Sequence, residues 1–222
     1  MLGRKKTKRI GIYGGVFNPP TDAHSYVPQY LMEYTKLFDE IWVMPCGDHR
    51  KKKDILDWKY RVAMCELVFT RQENVYVSTF DCIHESDGST IDLIDLLRFC
   101  GPAYHDYTMI VGQDNADNFS SWKEWDQLRD TVKFVVLPRG DKKVTKYDWY
   151  SMKPHTFIKD FPKHDLSSTS IRQTYATLHS KTNICEPEFK AELENHLYEN
   201  INTHVIDYID AHKFYRNEKV KS

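Results

Sequence analysis

The sequence lacks most of the devices that mark a chain's class at a glance. It has no Cys-x-x-Cys pair; Cys46, Cys65, Cys82, Cys100 and Cys185 are odd in number and scattered. A structural zinc site is therefore not expected, and reduced, mostly buried thiols of a cytosolic protein are. No apolar run is long enough to span a bilayer. The N-terminal MLGRKKTKR leads straight into a strand without the apolar stretch of a secretory signal, so neither membrane nor secretion is expected. No charge sign dominates: 28% of residues are charged and the net charge is -1. Nucleic-acid-binding domains are usually strongly basic, so no nucleic-acid partner is expected. The loop Gly-x-x-x-x-Gly-Lys-Ser/Thr is missing, and so is Gly-x-Gly-x-x-Gly. These absences argue against P-loop kinases and ordinary dehydrogenases, though not against nucleotide binding.

What is present suits one α/β domain. The 222 residues are 41% hydrophobic and 14% aromatic, enough for a sizeable core with a few extra helices. Residues 1–8 read as a disordered basic tail. Nuclear import through the run 4–9 is the lesser alternative to a plainly cytoplasmic location. Residues 9–222 read as a single domain, helical from about 166 to 216.

Short apolar runs alternate with helical periods. Strands are expected at 8–14, 40–45, 75–80, 108–111, 133–137 and 155–161. Helices are expected at 24–36, with Pro28 tolerated in the first turns, and at 57–69, capped by Asp57, with Val62, Met64, Leu67 and Val68 inward. Others are expected at 90–99, in one or two short pieces up to 130, at 168–179 with Ile171, Tyr175 and Leu178 inward, and at 188–198 and 202–212. The polar stretch 140–154 reads as a surface loop or insertion. This alternation predicts a Rossmann-like, doubly wound, mostly parallel sheet with helices on both faces, and ligands beyond the carboxyl ends of its strands.

The segments leaving those strands share a chemistry. They carry Gly14, Gly15, Val16, Phe17, Thr21 and His24; then His49, Arg50 and the lysines that follow; then Gly112 and Asp114; then Arg139; then Ser167, Ser168, Thr169 and Arg172. Singly, each has an ordinary explanation: a Gly pair is usually a turn, Ser-Ser-Thr a helix cap, and a lysine run a solvated loop. Together they place backbone amides, hydroxyls, helix N-termini and cations on one sheet edge, the chemistry of a polyphosphate site.

The segment GGVFNPPTDAH resembles the first signature of the nucleotidyltransferase superfamily, and LSSTSIR resembles its second. Gly88 to Asp92, Val111-Gly112-Gln113-Asp114, Phe119, Trp122 with Trp125, and Leu137-Pro138-Arg139-Gly140 narrow the resemblance to the nicotinate or nicotinamide mononucleotide adenylyltransferases. So do Val205 to Ile209, His212 and Tyr215. It runs from about 9 to 216, with insertions near 142–154 and 181–200. Thr21 departs from the usual bacterial His, and Ala23 from the frequent Gly, so a hydroxyl must replace one phosphate-contacting imidazole.

The resemblance implies transfer of AMP from ATP, with Mg²⁺, to a pyridine mononucleotide, nicotinate being favoured, giving a dinucleotide and pyrophosphate. It implies that His24 contacts the α-phosphate, and that Thr21 and the amides of residues 15–17 hold neighbouring oxygens. Ser168 and Thr169 would take the β- and γ-phosphates, and Arg172 the departing pyrophosphate. Asp114 would lie beside the ribose or adenosine. Trp122 would stack on the pyridine ring and Thr90 would bond its substituent, unless Thr90 is only a helix cap. His49, Arg50 and Arg139 would hold the acceptor phosphate. Lys123 either favours a carboxylate or faces solvent. Rival expectations are another acceptor, such as phosphopantetheine, or a non-catalytic nucleotide-binding module. A homo-oligomer is neither required nor excluded.

Overall fold

The computed structural model describes residues 7–47, 55–84, 89–100, 105–139, 144–145, 148–162, 167–180 and 186–216. Six strands form one parallel sheet: β1 (Arg9–Gly15), β2 (Glu40–Pro45), β3 (Val75–Val77), β4 (Asp106–Gly112), β5 (Lys133–Leu137) and β6 (Thr156–Phe157). Their order is β3-β2-β1-β4-β5-β6. The chain first builds outward from β1 through β2 to β3, then returns to β1's other side with β4. The switch point therefore lies between the carboxyl ends of β1 and β4, where parallel sheets of this kind open a crevice.

Strand periodicity sends alternate residues to opposite faces. Ile10, Ile12, Met109, Val111, Phe134 and Val136 pack on one side, with α4 (Thr90–Cys100), α5 (Gln113–Asp117) and α6 (Trp125–Thr131) supplying Ile94, Leu97, Ala116 and Leu128. Ile41, Val43, Ile110, Val135 and Leu137 pack on the other. There α1 (Asp22–Tyr30), α2 (Trp58–Phe69), α7 (Ser168–Leu178), α8 (Pro187–Tyr198) and α9 (Thr203–His212) cover the sheet. The fold is thus the Rossmann-like α/β architecture that the strand–helix alternation implied. Among the described residues no helix is long and apolar enough to cross a membrane.

Local departures have local causes. The first helix starts at Asp22 and becomes a π-helical turn at Leu31–Thr35, stopped by Lys36 in the left-handed region (φ 51°). Pro28 is thus interior to the helix rather than in its first turn, and it cannot donate to the carbonyl one turn back. The third strand ends at Val77: the Ser78 amide still bonds Val43 O on β2 (2.8 Å), and the Ser78 hydroxyl then accepts from the Phe80 amide, opening the short α3 (Phe80–Ile83). The sixth strand shrinks to two residues, since Phe161 N already turns onto Ile158 O. Leu67 and Leu178 face inward as expected and pack against the core while only half-buried. In the 140–154 stretch, a 3-10 turn at Trp149–Ser151 belongs to the core: Tyr150 is buried, and Trp149 stacks on Phe119 at 4.4 Å.

Candidate active site

The segment after β1 is tightly built. A side chain on Gly15 would place its Cβ 2.9 Å from the Phe17 ring, so only glycine lets that ring fold back over the strand end. Phe17 is buried and sits at φ 49°, where β-carbon crowding normally disfavours an L-residue. The loop is tied to the last third of the chain: Pro19 O accepts from the Ser168 hydroxyl (2.8 Å) and Asn18 O from Arg172 Nη1 (3.0 Å). Buried Asn18 Oδ1 accepts from the Tyr215 hydroxyl (2.8 Å).

His24, in the first turn of α1, is oriented by Thr21. The Thr21 amide donates to His24 Nδ1 (3.1 Å), and the Thr21 hydroxyl lies 2.7 Å from the same atom. A backbone N–H can only donate, so Nδ1 is the bare nitrogen and Nε2 carries the proton. Phe17 meets the imidazole edge-on at 5.3 Å. Burial, with the positive charge of Arg139 adding, pushes the imidazole pKa down to about 4. The result is a neutral ring presenting one N–H. Thr21 is only 1% exposed. Its hydroxyl lies against His24 Nδ1 and orients the ring.

Helix α7 supplies a second set of donors. Its N-cap, Ser167, accepts from Ser170 N (3.1 Å), while the amides of Ser168 and Thr169 belong to the first turn, where a helix has no internal acceptors. The Ser168 hydroxyl donates to Pro19 O (2.8 Å), so this side chain fastens the loop to α7. Thr169 is exposed, and Arg172 Nη2 reaches its hydroxyl at 3.4 Å.

Gly112 ends β4 and caps α5. Next to it, Asp114 pairs with Arg139 (Nε–Oδ2 3.2 Å), and the Arg139 amide donates to Gln113 Oε1 (3.2 Å). Thr90 is the first residue of α4, and Ser89 caps that helix by accepting from Asp92 N (3.3 Å). The cap role once open to Thr90 thus falls to its neighbour. Lys123 Nζ holds both oxygens of Asp92 at 3.1 and 2.9 Å, which brings the half-buried Trp122 beside the first turn of α4. Lys123 thus pairs with Asp92 while its side chain stays exposed. Trp125 is 37% exposed with Arg129 over its ring. His49 and Arg50 lie outside the described residues.

Sequence reasoning gave no individual role to Asn18, Arg61, Gln113, Tyr150 or Tyr215, all buried.

A sheet switch point lined by a glycine turn, a neutral imidazole donor, a helix N-terminus and arginines defines an α/β nucleotidyltransferase. The chain belongs to the cytidylyltransferase-like family, whose model matches residues 12–174, and within it to the branch of the nicotinate-nucleotide adenylyltransferases. An Acholeplasma laidlawii protein named a probable nicotinate-nucleotide adenylyltransferase is 30% identical over 191 residues, covering 86% of this chain and 97% of its own. The Bacillus subtilis nicotinate-nucleotide adenylyltransferase is 29% identical over 196 residues, covering 86% of this chain and 99% of its own. In fold the chain is similar to the Plasmodium falciparum nicotinic acid mononucleotide adenylyltransferase solved with NaAD. The TM-score is 0.75 at 23% identity, with 96% of this chain and 100% of the other covered.

Proposed function

We propose that this chain transfers the adenylyl group of ATP to nicotinate mononucleotide, releasing pyrophosphate and forming the deamido dinucleotide of NAD biosynthesis. The observation that carries this reading is the fixed, neutral His24. Its Nε2–H stands beside the glycine turn of residues 14–17 and within reach of Arg139's charge. A phosphate oxygen of the mononucleotide attacks the α-phosphorus in line. A new P–O bond forms, the bond to the bridging oxygen breaks, and its electrons leave on pyrophosphate. The attacking phosphate is already an anion, so no general base is needed, and catalysis is positioning plus charge stabilisation.

His24 donates to an α-phosphate oxygen as charge builds there. The amides of residues 15–17 and the first-turn amides of α7 cradle the remaining oxygens, Thr169 adds a hydroxyl, and Arg172 neutralises the leaving pyrophosphate. Mg²⁺ arrives with ATP as part of the substrate. Such an ion is ligated mostly by phosphate oxygens and water, with little direct protein ligation.

On the acceptor side Trp122 stacks on the pyridine, Arg139 faces the acceptor phosphate, and Asp114 lies by the ribose. The amides at the start of α4, with Thr90, offer donors to a ring carboxylate. Helix dipole and unpaired N–H groups favour an anion there, so the nicotinate form is the better substrate without help from Lys123. The test is pyrophosphate release with MgATP and each mononucleotide in turn. Turnover with higher kcat/KM for nicotinate mononucleotide is expected. A folded protein that binds ATP but turns over neither would sink the reading.

A further inference from the structure

Arg61 is 1% exposed, in the first turn of α2, and has no catalytic assignment. Its guanidinium donates to four backbone carbonyls: Nε to Leu56 O (2.8 Å), Nη1 to Val16 O (2.8 Å), and Nη2 to Cys46 O (2.7 Å) and Gly47 O (3.0 Å); Nη1 also lies 3.8 Å from Cys46 Sγ. A permanently charged, fully buried group is costly unless each N–H is satisfied. Here the satisfaction comes from the ends of β1 and β2, two of the segments that build the site edge. Gly47 is held from its other side too: its amide donates to Asp81 Oδ2 (3.0 Å), and Asp81 is itself buried.

The contact to Val16 has a directional consequence. The Val16–Phe17 peptide is trans, so its carbonyl and the Phe17 N–H point in opposite directions. With the carbonyl drawn toward Arg61 in the core, the Phe17 N–H is turned away from it, and no described residue accepts from it. Phe17 holds a left-handed φ of 49°, a conformation that costs on the order of 1–3 kcal/mol and persists only where surrounding contacts enforce it. The Gly15–Phe17 ring contact and the Arg61 bond are those contacts.

We propose that Arg61 is a positioning residue for adenylyl transfer: by holding the Val16 carbonyl it turns the Phe17 amide outward as a phosphate donor beside His24. This rests on the adenylyltransferase reading and adds to it a residue that touches no substrate. A purely structural role would cost stability without changing the behaviour of one amide, so the test reads that amide. In ¹H–¹⁵N spectra of the full chain, Mg²⁺ and an ATP analogue with a methylene in the α–β bridge should shift the Phe17 amide strongly downfield in the native protein. Arg61→Lys keeps the charge but loses the planar fork. It should lose most of that shift and about 10-fold or more in kcat at saturating substrates, the loss of one preorganised donor being the upper bound of about 100- to 1,000-fold.

A Phe17 amide that stays still while the Thr169 amide shifts would overturn the positioning role and leave the active-site reading intact. If neither amide responded, the site reading would fall and the proposal with it. A folded Arg61→Lys with native kcat and a native Phe17 shift would also overturn it. Should Arg61→Lys not fold, the native spectra still decide whether the amide meets phosphate.

Discussion

The Thr21–His24 pair makes its chemistry by fixing a tautomer. Two donors on Nδ1 leave Nε2 as the only nitrogen that can give a proton to a phosphate oxygen, and burial keeps the ring uncharged. His24→Ala should therefore lower kcat on the order of 100-fold with an unchanged circular dichroism spectrum, the cost of a lost preorganised donor. Native turnover in that variant would remove His24 from the mechanism. The same ring makes a pH statement. Its native pKa of about 4 lies below the 6.5 of an exposed imidazole, so the unfolded chain binds the extra proton between those values. Stability then rises with pH across that window and is lost as pH falls from about 6.5 towards 4, by on the order of 1–3 kcal/mol for a half-buried ring. Thermal melts at pH 7.5 and 5 should show a larger acid loss for the native protein than for His24→Gln. Equal losses would mean the ring is not held neutral. For the same reason kcat/KM for ATP, which reports the free enzyme, should carry no limb from His24 between pH 5 and 8.

At the scale of elements, the turn at Trp149–Ser151 supports the acceptor side. Trp149 stacks on Phe119, which also lies against Trp122 at 5.2 Å, and its indole N–H bonds Ala116 O (3.0 Å). The Tyr150 hydroxyl accepts from Gln113 Nε2 (3.3 Å) and donates to Asp117 (3.1 Å), while Gln113 Oε1 takes the Arg139 amide. Tyr150→Phe leaves a buried amide donor short of its acceptor, a loss of about 1–3 kcal/mol. Melts should fall by roughly 2–4 °C per kcal/mol for a chain of this length. In steady-state assays KM for the mononucleotide should rise several-fold more than KM for ATP; equal effects on both would show that the turn does not act on the acceptor side. Strand β5 and helix α2 were legible in the sequence to within a residue because β-branched runs and an Asp cap are local signals. The glycine turn, His24 and the α7 cap were legible for the same reason. The buttress was not: Trp149 and Tyr150 lie in a lysine-rich polar stretch, and only their tertiary partners make them core. Nor was the commitment of Thr21 and Ser168 to His24 and Pro19 O, since a hydroxyl's partner is a matter of three-dimensional geometry that spacing does not encode.

Across the whole molecule, the sheet order brings the first strand to the centre, and the last third of the chain closes over its end. Ser168, Arg172 and Tyr215 all reach Asn18 or Pro19 from the far side of the sequence. The triphosphate side of the site is thus assembled from the two ends of the described chain, and its precision depends on their docking. Tyr215 tests this most cleanly, because it is not proposed to touch any substrate. Tyr215→Phe keeps the buried ring and deletes only the hydroxyl that donates to Asn18 Oδ1, which should cost about 1 kcal/mol or slightly more. If docking sets the loop, kcat/KM for ATP should fall several-fold while KM for the mononucleotide holds. ATP binding should in turn restore part of the lost stability, since a ligand that binds only the native state adds RT ln(1 + [L]/Kd), about 2.7 kcal/mol at 100 times Kd. Melting curves with and without MgATP, beside the kinetics, separate the alternatives. A variant destabilised yet kinetically native would show that the closing segment holds the fold without tuning the site. A variant weakened towards ATP alone would show that the chain's end sets the geometry of its beginning.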